Sequence, residues 1–521
     1  MSASGEFGKL RSFLWPVHNS EHKKFVPMLI ISFLICFNYN LLRATKDALV
    51  VTAPESGAEA IPFIKVWAIL PMAFLMTFIF TRVSNKFTRE KAFYAMMGIF
   101  LGFFFLFTFV LYPLRDHLHP NNLADKLQEM LPLGFRGLIA TFRNWTFTAF
   151  YVMSEMWSTM IMTILFWGFA NEVTSVNDAK RFYGLFGISV NFSGVISGQV
   201  SIFLSKHEFN PNLPFGTDSW GQSIFFINAI IILAGLICIA LFRRLHVKGF
   251  GYNAIPSSTR QELNEIKMGM RKNFAYLAKS KYLICIAVIV LTYNIAMNLI
   301  EVVWKDQVNQ LYSTPADFNA YMGMVVSGIG VIATVTAIFI SGNVIRKFSW
   351  SSSAMIPPLI LLLTGVGFFS FMLFKDSGLS AIAALFGMTP LAMSVFFGTL
   401  QNCLSRASKY TLFDTTKELA FVPLSEESKL KGKAAIDGVG SRLGKSGGAV
   451  IHQGLLVFFG TISLSTPYVA LILLVAIGAW MIAVRLLGKQ FHQLTSQKEK
   501  LVVPDGDQPV VASSETPAIV S

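Results

Sequence analysis

Asn294-Ile-Ala-Met-Asn298-Leu-Ile-Glu301-Val-Val-Trp-Lys305-Asp306 closes an apolar run that opens at Tyr282 and is long enough to span a bilayer. The two amides, the glutamate and the lysine are spaced i, i+4, i+7 and i+11, which places all four on one face of a helix. A charge at the centre of a spanning helix costs at least ~2.5–3.5 kcal/mol in lipid, so such a stripe is tolerated where it faces a wet cavity. The stripe therefore predicts a transport pathway whose charges recognise a charged solute.

The composition is that of a polytopic membrane protein. Of the 521 residues, 53% are hydrophobic and only 14% are charged, against about 25% charged in a soluble domain. The N-terminal stretch to Lys24 is polar and the first apolar run lacks a small-residue cleavage site, so no cleavable signal peptide is expected. The four cysteines lie in apolar segments without metal-ligand spacing, and no catalytic motif is present. These features predict no disulfide, no metal, no cofactor and no enzyme.

The net charge of +14 is distributed by loop, which excludes nucleic-acid binding as its explanation. Alternate loops are rich in Lys and Arg, whereas the segment from Asp47 to Ile61 has neither. This alternation follows the positive-inside rule for an even number of spans with both ends in the cytoplasm.

Twelve spans are predicted, each near or above the ~20 residues that a bilayer requires. They lie at residues 25–50, 62–84, 91–112, 139–170, 180–205, 222–245, 281–305, 320–345, 353–374, 379–408, 433–460 and 467–488. The predicted domains are a cytoplasmic N-terminal segment (1–24), a six-helix bundle (25–245), a basic cytoplasmic linker with a short surface helix near Glu262 (246–280), a second six-helix bundle (281–490) and a disordered cytoplasmic tail (491–521).

The two halves repeat each other weakly. Lys46-Asp47 at the end of span 1 matches Lys305-Asp306 at the end of span 7, at an offset of 259 residues. Val83-Ser-Asn-Lys86-Phe-Thr matches Val344-Ile-Arg-Lys347-Phe-Ser at an offset of 261 residues. Duplicated halves of six spans predict an all-α fold of two pseudo-symmetric bundles like that of the major facilitators, with a substrate site between the halves.

Spans 1 and 4 carry further charges. Arg43 and Lys46 share a face of span 1, where they either snorkel to the interface or line the pathway. The matching end of span 7 repeats this pattern, which favours the pathway. Glu155 lies in the middle of span 4 and must be neutral, paired or wet, so it serves either a structural ion pair or the pathway.

Span 11 places Asp437 and Lys445 on one face, with Arg442 beside it. Glycines 440, 444 and 448 share another face, as expected for close helix packing. Gly444-Lys445-Ser446 resembles a phosphate loop, but Val439 stands where that motif needs glycine, so an ATPase loop is excluded.

Two features stay ambiguous. Asn402, Arg406 and Lys409 share a face of span 10 near the cytoplasmic interface, where ordinary snorkelling competes with function. His452 is interpreted as a hydrogen-bonded packing residue rather than a proton relay. Overall the intramembrane cations exceed the carboxylates, which favours a polyanion such as a phosphate ester. The carboxylates would pair with the cations when the site is empty, which favours exchange.

Leu42-Arg43-Ala-Thr-Lys46-Asp47-Ala-Leu-Val-Val-Thr52, together with residues 294–306 and 438–445, resembles the nucleotide transporter family, the ATP/ADP translocases of plastids and obligate intracellular bacteria. The similarity covers nearly all of residues 20–490 and is greatest to a chlamydial-type exchanger. The two lysines and two glutamates that characterise the family fall on Lys46, Glu155, Glu301 and Lys445.

The resemblance implies import of host ATP in exchange for ADP and phosphate across a bacterial inner membrane, in contact with its lipids and as a monomer. We expect the phosphates among Lys46, Lys445, Arg442 and Arg43, and adenine on an aromatic ring near the amides of Asn294 or Asn298. Glu155, Glu301, Lys305 and Asp437 complete the predicted substrate site. The alternatives are a proton-coupled nucleotide importer and a membrane receptor or scaffold on the same fold.

Overall fold

The computed structural model describes residues 15–249, 280–340, 347–375, 378–424, 432–433, 436 and 440–502. The predicted surface helix near Glu262 lies outside this part of the chain, as does the tail beyond Val502.

The described chain is built of helices. The long helices are α1 (His22–Val51), α2 (Ala60–Lys86), α3 (Arg89–Leu111), α4 (Trp145–Val173), α5 (Val176–Ser205), α6 (Ser219–Val247), α7 (Lys281–Leu311), α8 (Pro315–Val335), α9 (Trp350–Leu373), α10 (Pro390–Phe421), α11 (Ser441–Phe459) and α12 (Ile462–Val502). Within the described residues, ten helices are long and apolar enough to cross a membrane, or eleven when Leu379–Leu385 and α10 count as one bent span. The twelfth of these long helices, α11, does not reach that threshold, but it lies where the eleventh span is predicted.

The predicted tenth span, 379–408, is wrong in one respect, because it is broken rather than continuous. Leu379–Leu385 and α10 meet at a bend of 78°. Gly387 adopts a φ of +66° between them, and Pro390 then opens α10, since its fixed φ suits a first helical turn. The fourth span likewise starts at Trp145, after a separate helix Arg136–Arg143.

Local capping explains where many of these helices begin. A Ser, Thr or Asp side chain precedes the helix and accepts a hydrogen bond from a backbone N–H in the first turn. Such caps begin α3, α5, α6, α7, α8, α9 and α10, at Thr88, Ser175, Asp218, Ser280, Thr314, Ser349 and Thr389 respectively.

The first half of the protein (α1–α6) packs on the second half (α7–α12) most extensively through α5 and α8. Gly198 and Gly323 face each other there and allow the two backbones to approach closely. The amide of Asn319 donates to the hydroxyls of Ser201 and Ser205, at 3.0 and 2.7 Å. This side of the bundle is therefore a tight seam joining the halves.

Replacing Gly198 by alanine is expected to destabilise the protein by about 1–3 kcal/mol, the usual cost of overpacking. A Cβ at this position would overlap the Gly323 carbonyl oxygen and the Ser327 hydroxyl. Gly187→Ala, on the same helix, is the matched control, because a Cβ there meets none of the described atoms within 4 Å. Thermal unfolding in detergent measures both variants; equal melting temperatures would contradict the proposed seam.

The two ends of the bundle differ. We call the end where α1 begins the terminal face and the end where it finishes the distal face. Two ion pairs join the halves among the described residues, Asp47 with Lys305 and Lys65 with Glu301, and the first lies toward the distal face. A Cβ at Gly134, in the α3–α4 connection, would contact the backbone at Val457, which closes the same face. The halves thus meet across the distal face.

Candidate functional site

Asp47 forms the centre of the site, because it binds lysines from both halves. Its Oδ1 lies 2.8 Å from Nζ of Lys46, and its Oδ2 lies 2.8 Å from Nζ of Lys305. The three side chains are at most 3% exposed. A buried carboxylate held between two ammonium groups satisfies the charges that burial would otherwise leave unpaired.

Lys46 extends this cluster into α4. Its Nζ lies 3.1 Å from Oε1 of Glu155 and 3.7 Å from the centroid of the Tyr151 ring. The Glu155 side chain is 30% exposed, although it lies in the middle of an apolar helix. Glu155 therefore makes the ion pair of one interpretation, and its part exposure is compatible with the pathway of the other.

Glu301 forms ion pairs with three cations, from α2, α7 and α10. Its Oε1 lies 3.0 Å from Nζ of Lys305 and 3.6 Å from the Arg406 guanidinium, and its Oε2 lies 3.3 Å from Nζ of Lys65. Lys65 also donates to the amide oxygen of Asn298 at 2.6 Å. The polar stripe of α7 therefore faces α1, α2 and α10, as its helical spacing predicts.

We call these seven side chains the interface network. It comprises Lys46, Lys65, Lys305 and Arg406 with Asp47, Glu155 and Glu301. Four cations face three carboxylates, so the group carries a net positive charge when all are ionised. Such an arrangement can accept an additional anion, which would bind cations now shared among the carboxylates.

Fixed contacts position the helices that carry the network. The indole of Trp157 on α4 donates to the Ile35 carbonyl at 3.0 Å, and the amide of Asn38 donates to the Ile231 carbonyl at 2.9 Å, which hold α1 against α4 and α6. In the second half, the Trp304 indole donates to the Thr399 hydroxyl at 3.2 Å and so joins α7 to α10. Each half therefore presents its charges from a rigid support.

Lys445 lies on α11 beside this network, but it is exposed. It lies within electrostatic range of Glu155 and Lys65, and it makes no ion pair with a described residue. An exposed ammonium near a part-exposed, intramembrane carboxylate is tolerated where it faces a wet cavity rather than lipid. Among the predicted cations, Lys445 is thus available to an incoming anion.

Two of the three glycines predicted to allow close helix packing, Gly444 and Gly448, pack against α7. A Cβ at Gly444 would lie 2.8 Å from Cβ of Asn294, and one at Gly448 would lie 2.9 Å from Cβ of Asn298. Asn294 donates its amide to the Val290 carbonyl of its own helix, at 2.8 Å. Both asparagines therefore lie at the contact with α11, and Asn298 also accepts a hydrogen bond from Lys65 of the network.

The remaining predicted residues have different outcomes. Arg43 is half-buried on α1 and makes no ion pair with any residue in the described ranges. Asp437 lies outside the described residues, and only the backbone of Arg442 is described, as part of α11. His452 is fully buried, but its predicted hydrogen bond is wrong for the described chain, where neither ring nitrogen has a partner.

Sequence reasoning missed Lys65 and left Arg406 undecided. Lys65 lies near the start of the second predicted span, so the same rule that selected Glu155, a charge inside an apolar run, identifies it. Its segment, Ile64–Ile69, forms a π-helical turn, a feature often found at functional sites. The contact between Arg406 and Glu301 shows that Arg406 points into the protein rather than snorkelling.

The fold is all-α and of the major facilitator type. The chain superimposes on the xylose transporter XylE from E. coli, in an inward-open conformation, with a TM-score of 0.50, 12% identity and coverage of 88% of this chain and 95% of that one. Two halves of helices with charged side chains buried between them define the same fold class.

Within that class, the chain belongs to the TLC ATP/ADP transporter family, whose sequence profile matches residues 1–491. ADP,ATP carrier protein 1 of Chlamydia pneumoniae is 45% identical over 507 residues, which cover 96% of this chain and 98% of that protein. The chloroplastic ADP,ATP carrier protein 1 of Arabidopsis thaliana is 42% identical over 477 residues, covering 92% of this chain and 75% of that protein. The resemblance described from the sequence is confirmed.

Proposed function

We propose that this protein is an ATP/ADP antiporter that imports ATP in exchange for ADP and phosphate by alternating access. The observation that carries the proposal is the cation-rich interface network in a chain of the TLC ATP/ADP transporter family. Nucleotides are polyanions, and ammonium and guanidinium groups are the side chains that bind phosphate oxygens best.

Lys445 makes the first contact with the phosphates, because it is exposed and makes no ion pair within the described chain. Lys46, Lys65, Lys305 and Arg406 then exchange a carboxylate partner for a phosphate oxygen. Glu155 and Glu301 are the displaced partners, and their part exposure of 30% and 19% lets water solvate them. Arg43, Arg442, Asp437 and the Asn294 and Asn298 amides remain predicted contacts from the sequence.

The same pairs explain obligatory exchange. An empty network keeps its cations neutralised by its own carboxylates, which tie Asp47 of the first half to Lys305 of the second. Bound phosphate supplies the negative charge in their place and frees the halves to separate at the distal face. Return of the carrier is favoured when a second nucleotide again occupies the network, since an unpaired buried charge is strongly unfavourable.

The distribution of Lys and Arg among the loops supports a cytoplasmic position for both termini. The bacterial ADP,ATP carriers among the relatives support a bacterial inner membrane as the location. With that orientation the terminal face is cytoplasmic, and the halves, joined across the distal face, are in an inward-facing state. The site uses side chains from both halves of a single chain, so a monomer surrounded by lipid suffices for transport.

Proteoliposomes loaded with ADP test the exchange. Uptake of labelled ATP is expected to require internal ADP or ATP and to fall at least tenfold in vesicles without internal nucleotide. Uptake that ignores the vesicle contents would contradict obligatory exchange. A dependence of uptake on a pH gradient that is abolished by an uncoupler would instead support the proton-coupled importer.

A further inference from the structure

Two tyrosines share helix faces with the interface network, one in each half of the protein. Tyr39 precedes Lys46 by seven residues on α1, and Tyr410 follows Arg406 by four residues on α10. Residues spaced by four or seven lie on the same face of a helix. Because Lys46 contacts Glu155 and Arg406 contacts Glu301, both faces look into the space between the halves.

Both tyrosines lie on the terminal side of the network. At a rise of 1.5 Å per residue, Tyr39 is about 10 Å from Lys46 along α1 and Tyr410 is about 6 Å from Arg406 along α10. They also lie within electrostatic range of each other, and Tyr410 lies within electrostatic range of Lys445.

The Tyr410 ring is available to a ligand. Tyr410 is 54% exposed, and Tyr39 is half-buried. Neither hydroxyl forms a hydrogen bond with another described residue, and the one recorded partner of the Tyr410 ring is Lys409, whose Nζ lies 4.8 Å from the centroid. Tyr410 lies within the π-helical turn Lys409–Phe413, the same kind of turn that presents Lys65 to the network.

The rings of two neighbouring tyrosines are buried and already pack against other side chains. Tyr151 is buried beneath the Lys46 ammonium, 3.7 Å from the ring centroid. Tyr293 is buried and stacked on Phe413, with ring centroids 4.6 Å apart. Their rings therefore cannot receive a planar ligand without rearrangement of the core.

We propose that Tyr410 and Tyr39 form the subsite for the nucleobase, with the purine ring stacked on Tyr410 and covered by Tyr39 as the halves close. The inference rests on the proposed function, because it places the base on the terminal side of cations that bind the phosphates. Stacking is suited to this role, since every base has an aromatic face and phenol rings need little ordering. A base held by one ring from each half also couples substrate occupancy to closure.

Equilibrium binding to the purified full-length protein tests the subsite with two probes, ATP and inorganic tripolyphosphate, which has the charges but no base. Tyr410→Leu is expected to weaken ATP binding about 5- to 150-fold, the range for loss of one base–aromatic stack, and to leave tripolyphosphate binding within about twofold. Tyr410→Phe keeps the ring and is expected to bind ATP like the unmodified protein. Tyr39→Leu should act in the same direction.

Tyr468→Leu is the matched control, because Tyr468 is similarly exposed, at 46%, but stacks on Phe459 away from the network. Retained tripolyphosphate binding shows that the Tyr410→Leu protein is folded. Equal weakening of both probes, or no loss of ATP binding, would overturn the base subsite and leave the exchange proposal intact. Failure of the unmodified protein to bind ATP would overturn both.

Discussion

Replacing Lys46 by alanine is expected to reduce ATP/ADP exchange in proteoliposomes at least a hundredfold. The ammonium group binds Asp47 at 2.8 Å and Glu155 at 3.1 Å, and it is one of the cations assigned to the phosphates. Its loss removes a phosphate contact and leaves the buried Asp47 with Lys305 as its remaining ion-pair partner among the described residues. Breaking a buried pair in this way typically costs about 3–5 kcal/mol.

Two control variants separate these effects. Lys86→Ala removes an exposed lysine at the end of α2, outside the network, and is expected to exchange normally. The double variant Lys46→Ala with Glu155→Gln also removes the carboxylate that has Lys46 as its ion-pair partner among the described residues, so it should regain thermal stability without regaining exchange. Normal transport by a folded Lys46→Ala protein would remove Lys46 from the site.

Replacing Glu301 by glutamine is expected to tighten ATP binding about tenfold while slowing turnover at least tenfold. The Glu301 carboxylate competes with phosphate for Lys65, Lys305 and Arg406, which lie 3.3, 3.0 and 3.6 Å from its oxygens. Glutamine keeps the size of the side chain but not the charge. The three cations then bind the nucleotide more tightly. In the empty carrier Lys65 and Arg406 lose their ion-pair partner among the described residues, whereas Lys305 keeps Asp47.

Equilibrium ATP binding and initial exchange rates, measured on the same preparation, test whether affinity rises while turnover falls. Asp306→Asn is a matched loss of one carboxylate on the same helix, outside the network, where Asp306 accepts a hydrogen bond from the amide of Gln310 at 2.8 Å. It is expected to leave both quantities within about twofold. Weaker ATP binding by Glu301→Gln would mean that Glu301 holds the substrate rather than competing for the cations.

Helical spacing predicted much of the site, because a charge within an apolar run is itself informative. Glu301 and Lys305 are on one face of α7 and Glu155 is in the middle of α4, and all three meet the network. The pairing of Asp47 with Lys305 was beyond such reasoning, since it joins residues far apart in sequence that meet only when the halves pack.

The features that the sequence did not predict, Lys65 in the site and the break before α10, have physical explanations as well. Lys65 lies in a π-helical turn near the start of its span, where a lysine on a regular helix would be expected to snorkel. The break before α10 depends on the positive φ of Gly387. The pattern of hydrophobic residues does not predict such a backbone conformation. The domain boundaries stay a prediction, although α12 continues to Val502, past the expected end of the second bundle at residue 490.

The most direct measurement of the central claim is an experimental structure of the full-length protein with ATP bound. The account predicts phosphate oxygens within about 3 Å of the ammonium groups of Lys46 and Lys445, as for charge-assisted hydrogen bonds, with Glu155 released from Lys46. Phosphates bound elsewhere, with the pairs of Lys46 to Asp47 and Glu155 intact, would contradict it.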